Sequence, residues 1–275
     1  MYSDQIKKDR TLLVKGNLMK CLFVGFILCF AWIRVGEAKD CFIVKEKAKI
    51  HKSEGGCKSA YAPHSTFKIA LALMGFDSGI LVNETTPTFP FKANYSHGIN
   101  VCKGDHNPKT WMRDSCVWFS QVLTQKLGMK KYSEYVKEFN YGNKDVSGDP
   151  GKNNSLERSW LNSSLKITPD EQIQFLQRMI NQQLPVSKKA FEMTKNILFI
   201  QELPGGWNLY GKTGNGRYQG ELQQGWFVGW IEKGNRKLVF VHQIIDETKQ
   251  STYASFRSKN EAMTKLWYLI DELEE

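Results

Sequence analysis

Ser65-Thr66-Phe67-Lys68 sets a hydroxyl and an amine three residues apart at the head of an apolar stretch. On a helix this spacing brings both side chains to one face. A serine at a helix start also lies near unpaired backbone N–H groups and the positive end of the helix dipole, which favour a developing negative charge. Residues 65–79 (STFKIALALMGFDSG) are apolar around most of their circumference. Such a helix belongs in the interior, so the Lys68 amine is predicted to be desolvated. Desolvation disfavours the ammonium form and leaves an amine able to act as a base towards its neighbour. The spacing alone is unspecific, because Ser163 and Lys166 form a second copy. Only the first copy opens a buried helix.

Lys212-Thr213-Gly214 is the second group, at the end of a β-rich segment and just ahead of Asn215-Gly216. A cation, a hydroxyl and permissive backbone at a strand edge suit an anionic ligand lying along that edge. Backbone groups would hold its length, and Lys and Thr its carboxylate. A plain strand-to-turn junction uses the same residue types, so the weight comes from the two groups together.

Positioning them requires a scaffold, and its elements are legible. Residues 41–51 read as a strand pair. Ser65 is an N-cap type and Gly79 a helix terminator. Helices are predicted over 115–127, 130–139 and 187–197, and another runs from Thr168-Pro169-Asp170-Glu171 through Leu184. Residues 207–212, 225–232 and 237–245 are β-rich and broken by turn signals such as Lys233-Gly234-Asn235, which predicts consecutive antiparallel strands. A final helix is expected over 256–273, with Ala262, Leu266, Leu269 and Leu273 on one stripe. Strands at both ends around a helical block imply an α+β fold: a mostly antiparallel sheet built from both chain ends, helices packed on it, and a helical lobe.

The 275 residues carry 41% apolar and 24% charged side chains, a globular composition that excludes disordered, collagenous and coiled-coil chains. Residues 21–33 (CLFVGFILCFAWI) form an unbroken apolar run after Met19-Lys20, ending near the small residues Gly36 and Ala38. The run is shorter than the roughly 20 residues that span a bilayer. Residues 1–38 therefore read as a secretory signal cleaved after Ala38, with Met19 as an alternative start and 39–275 as one mature domain. Removing the signal lowers the formal charge from +10 to +7, since six basic and three acidic residues leave with it. With no run of four basic residues, nucleic acid is not an expected partner, while small anions are.

Export also decides the cysteines. Cys41, Cys57, Cys102 and Cys116 remain and allow three pairings. A strand pair bracketed by the first two favours Cys41 with Cys57, and hence Cys102 with Cys116. No metal is expected, because no C-x-x-C occurs and His51, His64, His97, His106 and His242 lack ligand spacing.

S-x-x-K followed by K-T-G is the pairing of serine penicillin-recognising enzymes. Tyr61-Ala-Pro-His-Ser-Thr-Phe-Lys68, Ser115-Cys116-Val117, Tyr141-Gly142-Asn143 and Lys212-Thr213-Gly214 resemble, in order and spacing, the class D β-lactamases. The likeness covers nearly all of residues 41–270 and includes Ser159-Trp160-Leu161 and Gly225-Trp-Phe-Val-Gly-Trp230. It implies hydrolysis of the penicillin amide through a Ser65 acyl-enzyme, with resistance to these antibiotics as the outcome. The oxyanion would lie between the backbone N–H groups of Ser65 and Asn215. Lys68 would be carboxylated by carbon dioxide to N6-carboxylysine and act as general base, with no other cofactor. Trp160 would hold the carbamate through its indole N–H, and Val117 and Leu161 would wall the pocket. Ser115 would pass a proton to the leaving nitrogen, and Lys212, Thr213 and Gly214 would lie near the substrate carboxylate. Tyr141, Gly142 and Asn143 would shape the site by packing and hydrogen bonds. Many relatives carry an arginine near the start of the last helix; Arg257 is the nearest candidate here, although alignment of the helix puts Asn260 at that position.

The expected protein is exported, periplasmic, a monomer or homodimer, and not stably bound to membrane. The alternative within the same fold is a penicillin-binding sensor that is acylated and does not turn over. A noncatalytic envelope protein that holds peptide in the groove is a third reading, but a binding groove needs no base beside a nucleophile.

Overall fold

The computed structural model describes residues 40–96 and 98–275, and the expected signal, 1–38, lies outside the described residues. The chain opens with β1 (Cys41–Glu46) and β2 (Lys49–Gly55), then a 3-10 turn, His64–Phe67, that runs into α1 (Lys68–Asp77). The helical block continues with α2 (Pro108–Asp114), α3 (Val117–Glu138), α4 (Ser155–Arg158), α5 (Pro169–Ile180) and α6 (Lys188–Leu198). β3 (Phe199–Leu203), β4 (Trp207–Arg217), β5 (Gln223–Lys233), β6 (Arg236–Ile245) and α7 (Ala254–Glu274) complete it.

Among the described residues the strands form one antiparallel sheet in the order β2-β1-β6-β5-β4-β3. Both chain ends meet in it, as the sequence predicts, with β1 pairing β6 from Cys41↔Gln243 to Lys45↔Val239. Period-two alternation supplies two cores. Trp226, Val228, Trp230, Val239 and Val241 face the helical block, while Phe227, Ile231, Leu238 and Phe240 face α7 through Ala262, Leu266 and Leu269. Burying both faces explains why β5 and β6 are almost continuously apolar. α1 runs through the first core with every residue from Lys68 to Phe76 buried.

Local chemistry accounts for most boundaries. A reciprocal capping box, Thr168 with Glu171, starts α5, and Ser187 caps α6 through the Ala190 N–H at 3.2 Å. Gly128, at φ 74°, breaks α3 where two separate helices are expected. Three features differ from expectation. Ser65 is not an N-cap: Pro63 opens the 3-10 turn and no side chain caps it. α2 is an additional helix, announced by an Asn107/Thr110 capping box with Pro108 at its first position. β3 is an additional edge strand whose mostly exposed side chains carry no alternating apolar signal. The disulfides are Cys41–Cys57 and Cys102–Cys116, the pairing the sequence favoured.

Candidate active site

The turn ahead of α1 holds Ser65 half-buried while Lys68, three residues on, is completely buried. The Lys68 amine donates to Ser65 Oγ at 2.9 Å. Burial, reinforced by the charge of Lys212, holds the Lys68 pKa well below the usual lysine value. An amine whose charged form is disfavoured by burial, within hydrogen-bond reach of a serine hydroxyl, is an arrangement that suits a nucleophile and its base.

Loops from the helical block enclose this pair. The backbone N–H of His64 donates to the Trp160 carbonyl at 3.0 Å, which ties the segment after α4 to the turn that carries Ser65. The Trp160 ring is fully buried against Phe67 (5.8 Å between centroids) and Tyr132 (6.5 Å), yet its Nε1–H has no partner among the described residues. Leu161, half-buried, follows it. Tyr141 packs edge-on against Phe67 at 5.1 Å. Gly142 and Asn143 dock on the 164–167 segment: the Asn143 side chain donates to the Ser164 carbonyl and accepts from the Lys166 N–H. Gly142 adopts φ +52°, and a Cβ there would fall 2.0 Å from the Lys166 carbonyl oxygen. A glycine is required at that approach.

Ser115 occupies the link between α2 and α3 in a left-handed conformation (φ 62°), with Val117 opening α3 and Cys116 fixed to Cys102 by the disulfide. Lys212 to Gly216 lie on the part of β4 that extends past its pairing with β3, so this edge is open. Gly214 passes against the turn that carries Ser65, where a Cβ would come within 2.9 Å of the Pro63 carbonyl oxygen. The Lys212 amine, also buried, donates to the Thr213 carbonyl at 3.1 Å, and burial with the nearby Lys259 charge lowers its pKa to about 7. The Asn215 side chain accepts from the Ser255 N–H at 3.1 Å and so ties α7 to β4.

A cavity of about 390 Å³ opens beside Lys212 and Thr213, bounded by Lys109, Met112 and Arg113 of α2 and by Lys259 of α7. The structure engages Arg257 differently from expectation. Its guanidinium pairs with Asp246, a carboxylate only 5% exposed, and it does not line the cavity. Asp246 lies just beyond β6 in sequence, which no spacing rule connects to the last helix. Lys259, two positions from Arg257 on α7, lines the cavity and was not singled out in the sequence.

An α+β fold with a serine–lysine pair at the head of a buried helix, facing an open K-T-G strand edge, defines the penicillin-recognising proteins. In keeping with this, residues 42–267 match the family described as "Penicillin binding protein transpeptidase domain". The chain is similar to beta-lactamase OXA-1 of Escherichia coli, with 44% identity over 224 residues, 80% of this chain and 79% of that protein. Its structure is similar to the class D β-lactamase OXA-427, with a TM-score of 0.80 and 40% identity over 85% of this chain and 99% of that one. The C-terminal domain of the Bacillus licheniformis BlaR penicillin-receptor is also similar, with a TM-score of 0.73 and 26% identity over 84% of this chain and 89% of that one. The chain belongs to the class D β-lactamases, a family of serine enzymes.

Proposed function

We propose that this chain hydrolyses the amide bond of penicillins and related β-lactams through an acyl-enzyme on Ser65. The observation that carries the reading is the 2.9 Å contact between Ser65 Oγ and a wholly buried Lys68. Ser65 Oγ adds to the lactam carbonyl carbon as Lys68 takes its proton. The backbone N–H groups of Ser65 and Asn215 receive the oxyanion. As the ring C–N bond breaks, Ser115 relays a proton to the nitrogen. Water then adds to the ester, and its collapse releases the ring-opened acid and restores the hydroxyl.

Carboxylation of Lys68 fits this pocket, since only a neutral amine adds carbon dioxide and the unpartnered Trp160 Nε1–H is a donor suited to an anion. The carbamate, when present, supplies the general base of both steps. Val117 and Leu161 form the apolar wall around it. The reading calls for no metal or organic cofactor. It places the protein outside the cytoplasm, in the periplasm, after removal of residues 1–38. Two disulfides suit that compartment. Among the described residues no helix is long and apolar enough to cross a membrane.

The likeness to a penicillin receptor makes a second reading specific: acylation without turnover. A time course of penicillin hydrolysis at large substrate excess, with bicarbonate present, separates the two. Continued turnover that falls when carbon dioxide is removed is the expected result. A burst of about one equivalent followed by arrest would replace the hydrolase with the receptor.

A further inference from the structure

We propose that Cys102, Cys116 and His106 form a zinc site when the Cys102–Cys116 disulfide is reduced, so that metal and disulfide are alternative clasps on the segment that carries Ser115. The inference is independent of the β-lactam reading.

The spacing C-x3-H-x9-C matches no metal motif, and it is the fold that brings the three side chains together. Their ligand atoms lie within 4.8 Å of one another, the one such group among the described residues, and all three side chains are buried. His106 Nε2 is 3.3 Å from Cys116 Sγ. Zn–S bonds of about 2.3 Å and a Zn–N bond of about 2.0 Å set ligand atoms roughly 3.5–4 Å apart at tetrahedral angles, so changes of cysteine side-chain torsion suffice.

Contacts other than the disulfide hold each ligand in place. Two backbone hydrogen bonds with Phe89, of 2.8 and 3.2 Å, pin His106. The Trp118 indole N–H donates to the Cys102 carbonyl at 2.9 Å, and Cys116 is the residue from which α3 starts. With its proton on Nδ1, the His106 ring donates to Thr110 Oγ1 at 3.0 Å, has the Asp114 carboxylate at 3.8 Å, and turns the Nε2 lone pair towards the sulfurs. An acceptor behind the far ring nitrogen is what orients a ligating histidine. The Val101 carbonyl oxygen, 3.2 Å from Nε2, accepts from the other tautomer in the disulfide state and is placed for the fourth position around a metal.

The exchange balances. A dithiol reductant gives two electrons and two protons: the Cys102–Cys116 S–S bond breaks, two thiols form, and the reductant leaves as a cyclic disulfide. Zn²⁺ then displaces both thiol protons to solvent, and two thiolates neutralise its charge, so the buried site carries no net charge. Two sulfurs and an imidazole suit zinc and not the oxygen-seeking magnesium or calcium. Because Cys116 adjoins Ser115, whose backbone is left-handed at φ 62°, either clasp holds the link between α2 and α3.

The test uses the wild-type protein, Cys102→Ser, His106→Gln and the double variant Cys41→Ser/Cys57→Ser. Each is reduced with a phosphine, which ends as its oxide and leaves no thiol to compete for metal, and is then desalted without air. Reduced wild type and the double variant should each bind about one more Zn²⁺ per chain than reduced Cys102→Ser. Co²⁺ in place of zinc should show the visible bands and sulfur-to-metal charge transfer of a tetrahedral thiolate site, which oxidised wild type should lack. Zinc about a hundredfold above its dissociation constant should raise the thermal midpoint of reduced wild type by about 5 °C or more. His106→Gln, which can still close the disulfide, should bind zinc about tenfold or more weakly once reduced. If Cys102→Ser does not fold, oxidised wild type serves as the reference. Zinc uptake no greater than the reference, cobalt spectra without sulfur bands, unchanged affinity in His106→Gln, or unfolding of the reduced protein despite zinc would each overturn the site.

Discussion

Lys68 and Trp160 belong together because each is buried with an unmet need: the amine has lost its solvation and the indole N–H has no acceptor. On the proposed mechanism, replacing Lys68 with Ala removes the base and a desolvated amine at once. Turnover should fall by about 10³-fold or more, within the range for general bases, while circular dichroism and thermal stability are maintained. Normal hydrolysis by that variant would eliminate Lys68 as the base. Trp160→Phe keeps a ring against Phe67 and Tyr132 but deletes the donor. Acyl-enzyme should accumulate, with deacylation slowed about 10-fold or more, as for loss of a positioned hydrogen-bond donor. An unaltered deacylation rate would reduce the indole to packing. At this scale the sequence was most informative, because residue type and spacing follow one helix turn. It pointed to Arg257 through the resemblance alone and was silent on the buried Asp246 that engages it, because no spacing rule links the end of β6 to α7.

Elements bring these residues into register, and glycines mark where two of them touch. The turn at 141–143 docks on the 164–167 segment through Gly142, whose positive φ and 2.0 Å approach leave no room for a side chain. Gly142→Ala should destabilise the protein by about 2 kcal/mol or more, the cost of a non-glycine residue held left-handed with an added clash. Chemical denaturation reads this directly, and a variant as stable as wild type would show that the loop shifts freely. The strands and long helices were legible because alternating or all-round apolar patterns reach them directly. β3 was not, since an exposed five-residue edge strand has no buried face to write a period in its sequence. α2 carried a readable start in Asn107-Pro108-Lys109-Thr110, but its seven residues are too few for an amphipathic pattern to stand out. Ser65 has a capping residue type, yet its hydroxyl accepts from Lys68 instead. The proposed nucleophile is thus spared from capping the helix it precedes.

Over the whole molecule, two cores flank one sheet, and each has a histidine sealed near it. His64 lies under β4, where a Cβ on Gly216 would sit 1.9 Å from its ring, and burial lowers its pKa to about 4. His242, on β6, packs against Phe42 and Ser258, and burial likewise brings it to about 4, with Lys265 lowering it further and Glu54 opposing. Glu261 approaches its Nε2 at 3.7 Å. Both histidines stay neutral in the folded state at pH values where the unfolded chain, near 6.5, already binds the proton. Stability rises with pH wherever the unfolded state holds more protons, so it is complete above about 6.5 and drains away as pH falls towards 4. Each histidine should contribute a loss of about 2–3 kcal/mol between pH 7 and 4.5. Unfolding by denaturant at the two pH values measures the sum. His242→Asn keeps a hydrogen-bonding group beside Ser258 but cannot titrate, so it should be less stable at pH 7 yet lose about 2 kcal/mol less than wild type on acidification. Glu261, whose pKa burial raises, should offset a small part of the wild-type loss. Parallel declines in the two proteins would mean that His242 does not carry its share of the acid sensitivity.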